Sequence, residues 1–516
     1  MYSYRVRNLR SFSDDPNSEY IEICPLTIFI GTNSCGKSSL LRTFPLLRQS
    51  IESHTSGPIL WYGKYVDYGA FSEAKNKSSS SEIIFFDYKF DLRGDSSLSF
   101  SQNEDLSVDL SLGVTGIEKS TVFDSLTVKA LGVEVSVKYN EDGAFNVYVN
   151  GEITDAILTV NNKKSQGFIP SISLLGWRGG AEGCDLGDVE NSEDIELNYY
   201  ELIDKYNYYQ AISRDGVKRL YETLSSKLQG DYENFYDFER EFLNGFYFDG
   251  IESVSEFDSF SLLSKEELFN VQKELLVAYF PTFIDEVNHY FECYFQRVKY
   301  IAPLRSTAER FYRFQDLHID EVDHTGSNLA MVLRNLSNHQ MRLFKDWSLN
   351  NFGFEVYVPV SDSLHYEILI NIDGQETNIS DMGFGFSQIL PIITSIWLTE
   401  YSKSNPLSIR GRIPITYVIE QPELHLHPKM QATLAKVFAK VAMFKRNIGS
   451  PINIIFETHS KTMIDALGDV VEEYGGRESI NIVILEKENN ITKVTQTGFD
   501  DEGDLLKWPI GFFSGR

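Results

Sequence analysis

Positive charge is what this sequence has least of. Lys and Arg number 47 against 74 Asp and Glu, a net charge of −27 at pH 7. A surface this acidic excludes general affinity for nucleic acid or for an anionic membrane, so any DNA or RNA contact must come from a local basic patch or from a partner. Cysteine is scarce too. Cys24, Cys35, Cys184 and Cys293 are scattered, and no pair has metal-ligand or redox spacing, which fits a reducing cytoplasm. No run of about 18 apolar residues occurs, so no membrane span is expected. Met1-Tyr2-Ser3-Tyr4-Arg5-Val6 lacks the apolar core of a signal peptide. No heptad persists and no internal repeat is visible, which argues against a long coiled coil.

What is present is apolar and aromatic. The chain has 516 residues, 42% of them hydrophobic, with 36 Phe and 28 Tyr, enough for two or three packed domains. One string stands out. Gly31-Thr32-Asn33-Ser34-Cys35-Gly36-Lys37-Ser38 is a complete G-x-x-x-x-G-K-S phosphate-binding loop. It follows Leu26-Thr27-Ile28-Phe29-Ile30, which reads as a buried strand, and precedes Ser39-Leu40-Leu41-Arg42, which opens a helix. The glycines let backbone N–H groups turn to phosphate, and the helix start adds its positive dipole end. Gly31, Asn33, Ser34, Cys35, Gly36, Lys37, Ser38 and Ser39 are the expected nucleotide-binding residues. Lys37 reaches the β/γ-phosphates in this motif, and Ser38 ligates Mg²⁺. ATP and Mg²⁺ are therefore the expected cofactors. Pro45 should end or kink the helix early.

The texture then changes twice. From Ile83 to Val160 alternating runs and the turn signals Asn140-Glu141-Asp142-Gly143 and Asn150-Gly151 predict an antiparallel β-meander. From Ser192 to Val298 apolar residues recur at helical spacing, as at Leu220, Tyr221, Leu224 and Leu228. After Tyr300 strands and helices alternate, with an Asp373-Gly374 hairpin inside Leu364–Ile379, a helix over Lys429–Phe444, and buried strands at Ile415–Ile419, Ile452–Phe456 and Ile482–Leu485. This pattern implies a mostly parallel sheet. The expected division is 1–165 (phosphate loop and meander), 166–299 (helical insertion) and 300–516 (the rest of the nucleotide-binding domain).

A nucleotide site needs an acid at the end of a second buried strand. Thr416-Tyr417-Val418-Ile419 delivers Glu420, the expected Mg²⁺ ligand beside Ser38, followed by Gln421-Pro422-Glu423. Ile452–Phe456 runs into Glu457-Thr458-His459-Ser460, where His459 is placed to hydrogen-bond a γ-phosphate. Ser380–Gln388 is a loop of small and polar residues before a helix, a further potential anion cradle. His425 and His427 fit a turn better than a metal site, and His289 with Cys293, four apart on a helix, fit packing better than ligation.

Together with Tyr300-Ile301-Ala302-Pro303-Leu304-Arg305 and the tail Trp508–Phe513, these motifs resemble the ABC-type ATPases of the SMC and OLD group. They are closest to bacterial AAA-annotated ATPases with a characteristic C-terminal domain. The resemblance covers about Met1–Ala70 and Tyr300–Arg516. It implies an α/β fold, an ABC-type P-loop ATPase domain split by the β-meander and the helical insertion. It also implies a homodimer or higher oligomer, in which the signature-like loop (Gly383, Gly385, Ser387, Gln388) meets the nucleotide held by the other protomer. The wider group has Asp-Glu where this chain has Glu420-Gln421, and an amide cannot accept a proton as a carboxylate does. Either Glu423 or His459 takes the catalytic role, or hydrolysis is slow and ATP acts mainly as a structural switch.

Proteins of this kind are similar to the PtuA-type ATPase subunits of Septu and retron antiphage systems. That likeness implies a cytoplasmic ATPase acting as sensor and scaffold for a separate effector nuclease of the HNH type, with nucleic acid bound through the partner or as a retron RNA/DNA. The alternative is an SMC- or OLD-like repair or chromosome-maintenance ATPase that binds DNA directly. It predicts a basic groove and a long coiled coil, and the sequence shows neither. A third reading, a pure interaction protein with a vestigial site, conflicts with the intact Lys37, Ser38, Glu420 and His459.

Overall fold

The computed structural model describes residues 1–92, 106–161, 171–177, 280–401, 413–444 and 451–507, apart from 54, 56, 118–119, 131, 140–144, 314, 316, 318, 320 and 360–363, together with 169 and 221. The helical texture read between Ser192 and Phe280 lies almost wholly outside the described residues, as does the tail Trp508–Phe513. The chain forms two compact units.

One unit comprises Met1–Leu9, Ser53–Leu60 and Gly69–Glu292. Its strands run Ser171–Trp177, Glu152–Asn161, Phe145–Val149, Val133–Tyr139, Ser120–Ala130, Leu106–Ile117, Ile83–Leu92, Ser3–Arg7 in spatial order, every neighbour antiparallel. Alternation makes the sheet. Ile84, Phe86, Tyr88, Phe90 and Leu92 are all buried on one face. Tyr290 and Phe291, from the helix Phe280–Gln296, cover that face by stacking on Phe90 and meeting Tyr88 edge-on. On the opposite face Asp87 is buried but paired with Arg5 and Arg7 at 2.8 and 2.7 Å, and it accepts a hydrogen bond from the Ser111 hydroxyl.

The expected boundary at 165 falls inside this sheet, because Ser171–Trp177 is a strand paired with Glu152–Asn161. The expected first domain is also divided. Arg10–Glu52, with the phosphate loop, belongs with Cys293–Arg516 rather than with the meander. The physical reason lies in pairing. A meander closes through local hairpins, whereas the loop strand needs parallel partners that only distant sequence supplies.

In the second unit the sheet order is Val298–Ile301, Ile415–Glu420, Ile452–Glu457, Leu26–Gly31, Ile480–Glu488, Ile491–Thr497. Neighbours are parallel except the last pair. Both faces of the central strands are covered, so these are largely apolar, while the edge strand Ile491–Thr497 is polar. Ile28, Ile30, Tyr417, Ile419, Ile454 and Phe456 share a core with Trp397, Leu434, Phe438 and Leu467 from flanking helices. Phe29, Val418, Ile455 and Val483 are buried as well, at alternate positions of the same strands.

Local signals hold in detail. Asp373 and Gly374 both take positive φ, 51° and 84°, and join the strands Leu369–Ile372 and Gln375–Asn378, as a tight hairpin turn requires. The loop helix stops at Leu41 and a second helix begins at Thr43, before Pro45, whose missing N–H cannot continue the ladder. The helix expected over Lys429–Phe444 runs Pro428–Ala439, with Pro428 in its first turn, and widens to a π-turn over Lys440–Phe444. Trp397 is fully buried against Phe344, with ring centroids 5.0 Å apart. Trp397→Ala should destabilise this unit by about 3–5 kcal/mol, read by denaturant titration.

Candidate nucleotide site

The strand Leu26–Gly31 ends where the backbone must turn sharply. Gly31 sits at φ 151°, and a Cβ there would lie 2.2 Å from the Leu485 carbonyl oxygen. Gly36, at φ 104°, caps the helix Lys37–Leu41 without any side-chain cap, as suits N–H groups that face an anion. Ser34 also has positive φ. The loop is clamped from the far end of the sequence. The Thr492 hydroxyl donates to the Cys35 carbonyl at 2.7 Å and lies 2.7 Å from the Ser11 hydroxyl. Cys35 is buried beneath the loop, and burial lifts its thiol pKa. Lys37 folds back, its Nζ donating to the Gly31 and Thr32 carbonyls at 2.9 Å each. Asn33 and Ser34 are exposed at the loop's tip, and Ser39 offers its carbonyl to the Tyr68 hydroxyl.

Two carboxylates face this helix. Glu420 and Glu457 end adjacent parallel strands and are direct register partners. Ser38 and Arg42, four residues apart, meet one each. The Ser38 hydroxyl lies 2.9 and 2.8 Å from the two Glu457 carboxylate oxygens. Arg42 binds Glu420 bidentately, Nε at 2.7 Å and Nη2 at 2.8 Å, and the Tyr300 hydroxyl donates to Glu420 at 2.6 Å. The bond to Glu420 holds the Arg42 guanidinium above its ordinary pKa. Burial first, and then the charge of Glu420, push the Glu457 carboxyl up to about 7. The donor set fits a hard divalent cation, since hydroxyl and carboxylate oxygens converge at the loop.

The remaining expected residues divide. The His459 backbone N–H donates to Glu423 at 2.8 Å. Burial, and then the charge of Lys37, lower the His459 pKa. Glu423 is turned inward, and burial raises its carboxyl pKa. Gln421 has φ 43°, and its N–H donates to the Glu457 carbonyl. The signature-like segment is less a loop than expected. Gly383 precedes a helix, Phe384–Tyr401, that already contains Gly385, Ser387 and Gln388. Space around Gly383 is open, whereas a Cβ at Gly385 would lie 3.1 Å from the His425 carbonyl. Ser387 and Gln388 are buried, Ser387 bonding the Phe384 carbonyl and Gln388 meeting Arg305.

Arg305 and Arg42 were not anticipated as site residues, nor was Glu457 given a role. Arg305 donates to the Glu420 carbonyl at 2.9 Å, and burial draws its guanidinium down to about 10. A signal for Glu457 existed. It ends the strand next to the phosphate-loop strand, by the same logic that singled out Glu420. Arg42 sits one helical turn beyond Ser38 and so shares its face.

The raised Glu457 pKa makes a prediction. Between about pH 4.5 and 7 the folded protein keeps this proton while the unfolded chain has lost it. The folded state binds more protons there, so stability falls as pH rises through that window. Glu457→Gln removes this penalty. In nucleotide-free protein at pH 8 the variant should be the more stable by up to about 3 kcal/mol, and the difference should vanish below about pH 4.5, as read by denaturant titration.

No curated protein matches the chain by sequence. Similar solved structures include the Smc head bound to the C-winged helix domain of ScpA, at 9% identity and a TM-score of 0.36, covering 97% of this chain and 98% of that one. Another is the Smc head domain with a coiled coil and joint derived from Pyrococcus yayanosii, at 9% identity and a TM-score of 0.33, covering 97% of each chain. The family model described as an AAA ATPase domain matches residues 1–464, which takes in the phosphate loop, both carboxylates and His459. The chain belongs to that AAA ATPase domain family.

Proposed function

We propose that this protein binds ATP with Mg²⁺, hydrolyses it, and uses the bound nucleotide to close two copies head to tail. The supporting observation is the convergence of Lys37, Ser38 and two strand-end carboxylates at one loop. Lys37 exchanges the Gly31 and Thr32 carbonyls for β/γ-phosphate oxygens, and the loop N–H groups hold the remainder. Mg²⁺ bound there neutralises charge on the phosphate oxygens. His459 donates a ring N–H toward the γ-phosphate, its backbone held by Glu423. Gln421 orients water but takes no proton, so turnover is slow. Contact in trans rests on the open Gly383 and the backbone beside it, because Ser387 and Gln388 are engaged within their own protomer.

We further propose that the switch serves bacterial antiphage defence, as the sensor and scaffold for a separate effector nuclease. The acidic, aromatic-rich composition supports docking of a protein partner over direct grip on DNA. The test is affinity purification from the native host with ATP and Mg²⁺ present. A stoichiometric nuclease, with or without a small structured RNA or DNA, is expected. Heterogeneous chromosomal DNA without a nuclease refutes the defence role and favours repair.

Two substitutions test the switch. Lys37→Ala should abolish nucleotide binding and any protection against phage, and full activity in that variant would mean the site lies elsewhere. Gln421→Glu should raise the steady-state ATPase rate if residue 421 stands beside the attacking water. An unchanged rate assigns that position to another group.

A further inference from the structure

We propose that Glu457, and not Glu420, is the carboxylate that directly ligates the divalent cation beside Ser38. The inference rests on the nucleotide-site reading above and refines it. The Ser38 hydroxyl oxygen lies 2.9 and 2.8 Å from the Glu457 oxygens. In an octahedral Mg²⁺ shell with bonds of about 2.0–2.1 Å, neighbouring ligand oxygens stand about 2.9 Å apart. Ser38 and one oxygen of Glu457 already have the spacing of two adjacent ligands, and the Ser38 hydroxyl need only turn its proton away from the carboxylate to ligate beside it.

Glu420 is committed elsewhere. One of its oxygens accepts from Arg42 Nε and the Tyr300 hydroxyl at 2.7 and 2.6 Å, and the other accepts from Arg42 Nη2 at 2.8 Å. Its side chain is 1% exposed and that of Arg42 37%, so breaking the pair to reach a cation would leave the Glu420 carboxylate buried without its main partner. The guanidinium also repels a second positive charge at that carboxylate. Sheet order agrees. The Glu457 strand is next to the phosphate-loop strand, whereas the Glu420 strand is one further out, by about 4.8 Å. Glu420 is then a positioning residue that anchors Arg42 and Tyr300 in the outer shell.

The probe is Mn²⁺ with ADP, read by the electron paramagnetic resonance signal of free Mn²⁺, beside a separate titration of fluorescent ADP in EDTA. Wild-type protein should bind the nucleotide in both. Glu457→Gln should weaken Mn²⁺ by about 100-fold or more, and Glu420→Gln by about tenfold, the scale of an outer-shell loss. Equal losses, or the reverse order, overturn the assignment while leaving the nucleotide site intact. No nucleotide binding by the wild type in either titration refutes the nucleotide-site reading itself. Glu457→Cys guards against a variant that folds poorly, since a thiolate ligand should switch preference from Mn²⁺ to Cd²⁺. A Cys variant that binds nucleotide without this switch also overturns the assignment.

Discussion

Two acids side by side at the edge of a parallel sheet would repel each other, and the site is built around that constraint. Glu420 and Glu457 are register partners on adjacent strands, both nearly excluded from water. The fold resolves the conflict asymmetrically. A fixed guanidinium and a phenol satisfy Glu420, and a single hydroxyl satisfies Glu457. One carboxylate is therefore settled, and burial beside it pushes the pKa of the other up to about 7. The asymmetry comes from one helix face, where Ser38 and Arg42 stand a turn apart.

Around this pair the polar contacts run in a chain. Gln388, at the start of a long helix, meets Arg305, and Arg305 reaches the backbone of Glu420. Glu423, three residues on, fixes the backbone of His459. The segment expected to act only across a dimer is thus wired to the acids of its own protomer. The segment that begins at Gly383 is thereby joined to the backbone of Glu420 through buried polar groups.

Much of this was legible in the sequence, for identifiable reasons. The phosphate loop, its flanking strand, the Asp373-Gly374 turn and the break before Pro45 depend on local backbone chemistry, which neighbouring residues declare. The parallel sheet was legible because its strands are buried on both faces. Partner choice between side chains was not. That Ser38 meets Glu457 while Arg42 takes Glu420 depends on strand order, and strand order joins segments some 400 residues apart. The boundary at 165 failed for a related reason. Ser171–Trp177 lies beyond that boundary in sequence but pairs back onto Glu152–Asn161, with a register shift between Leu174 and Gly176. The inward turn of Ser387 follows from helix phase, which a Gly-rich string read as a loop conceals.

The clamp on the phosphate loop has a consequence for biosynthesis. The strand Leu26–Gly31 is buried at all six positions, and its neighbours begin at Ile452 and Ile480, while Thr492 closes the loop from behind. At about 5–20 residues per second a ribosome needs roughly 20 to 90 s to travel from Gly31 to Leu485. For most of that interval a bare, adhesive β-segment has no native partner, since the first of its neighbours begins only at Ile452. The antiparallel meander, whose hairpins close as they appear, can fold meanwhile. The phosphate-loop strand can complete its pairing only once residues beyond 480 have been made, and a nascent chain stalled before residue 480 would carry the phosphate loop without the strand and hydroxyl that shape it.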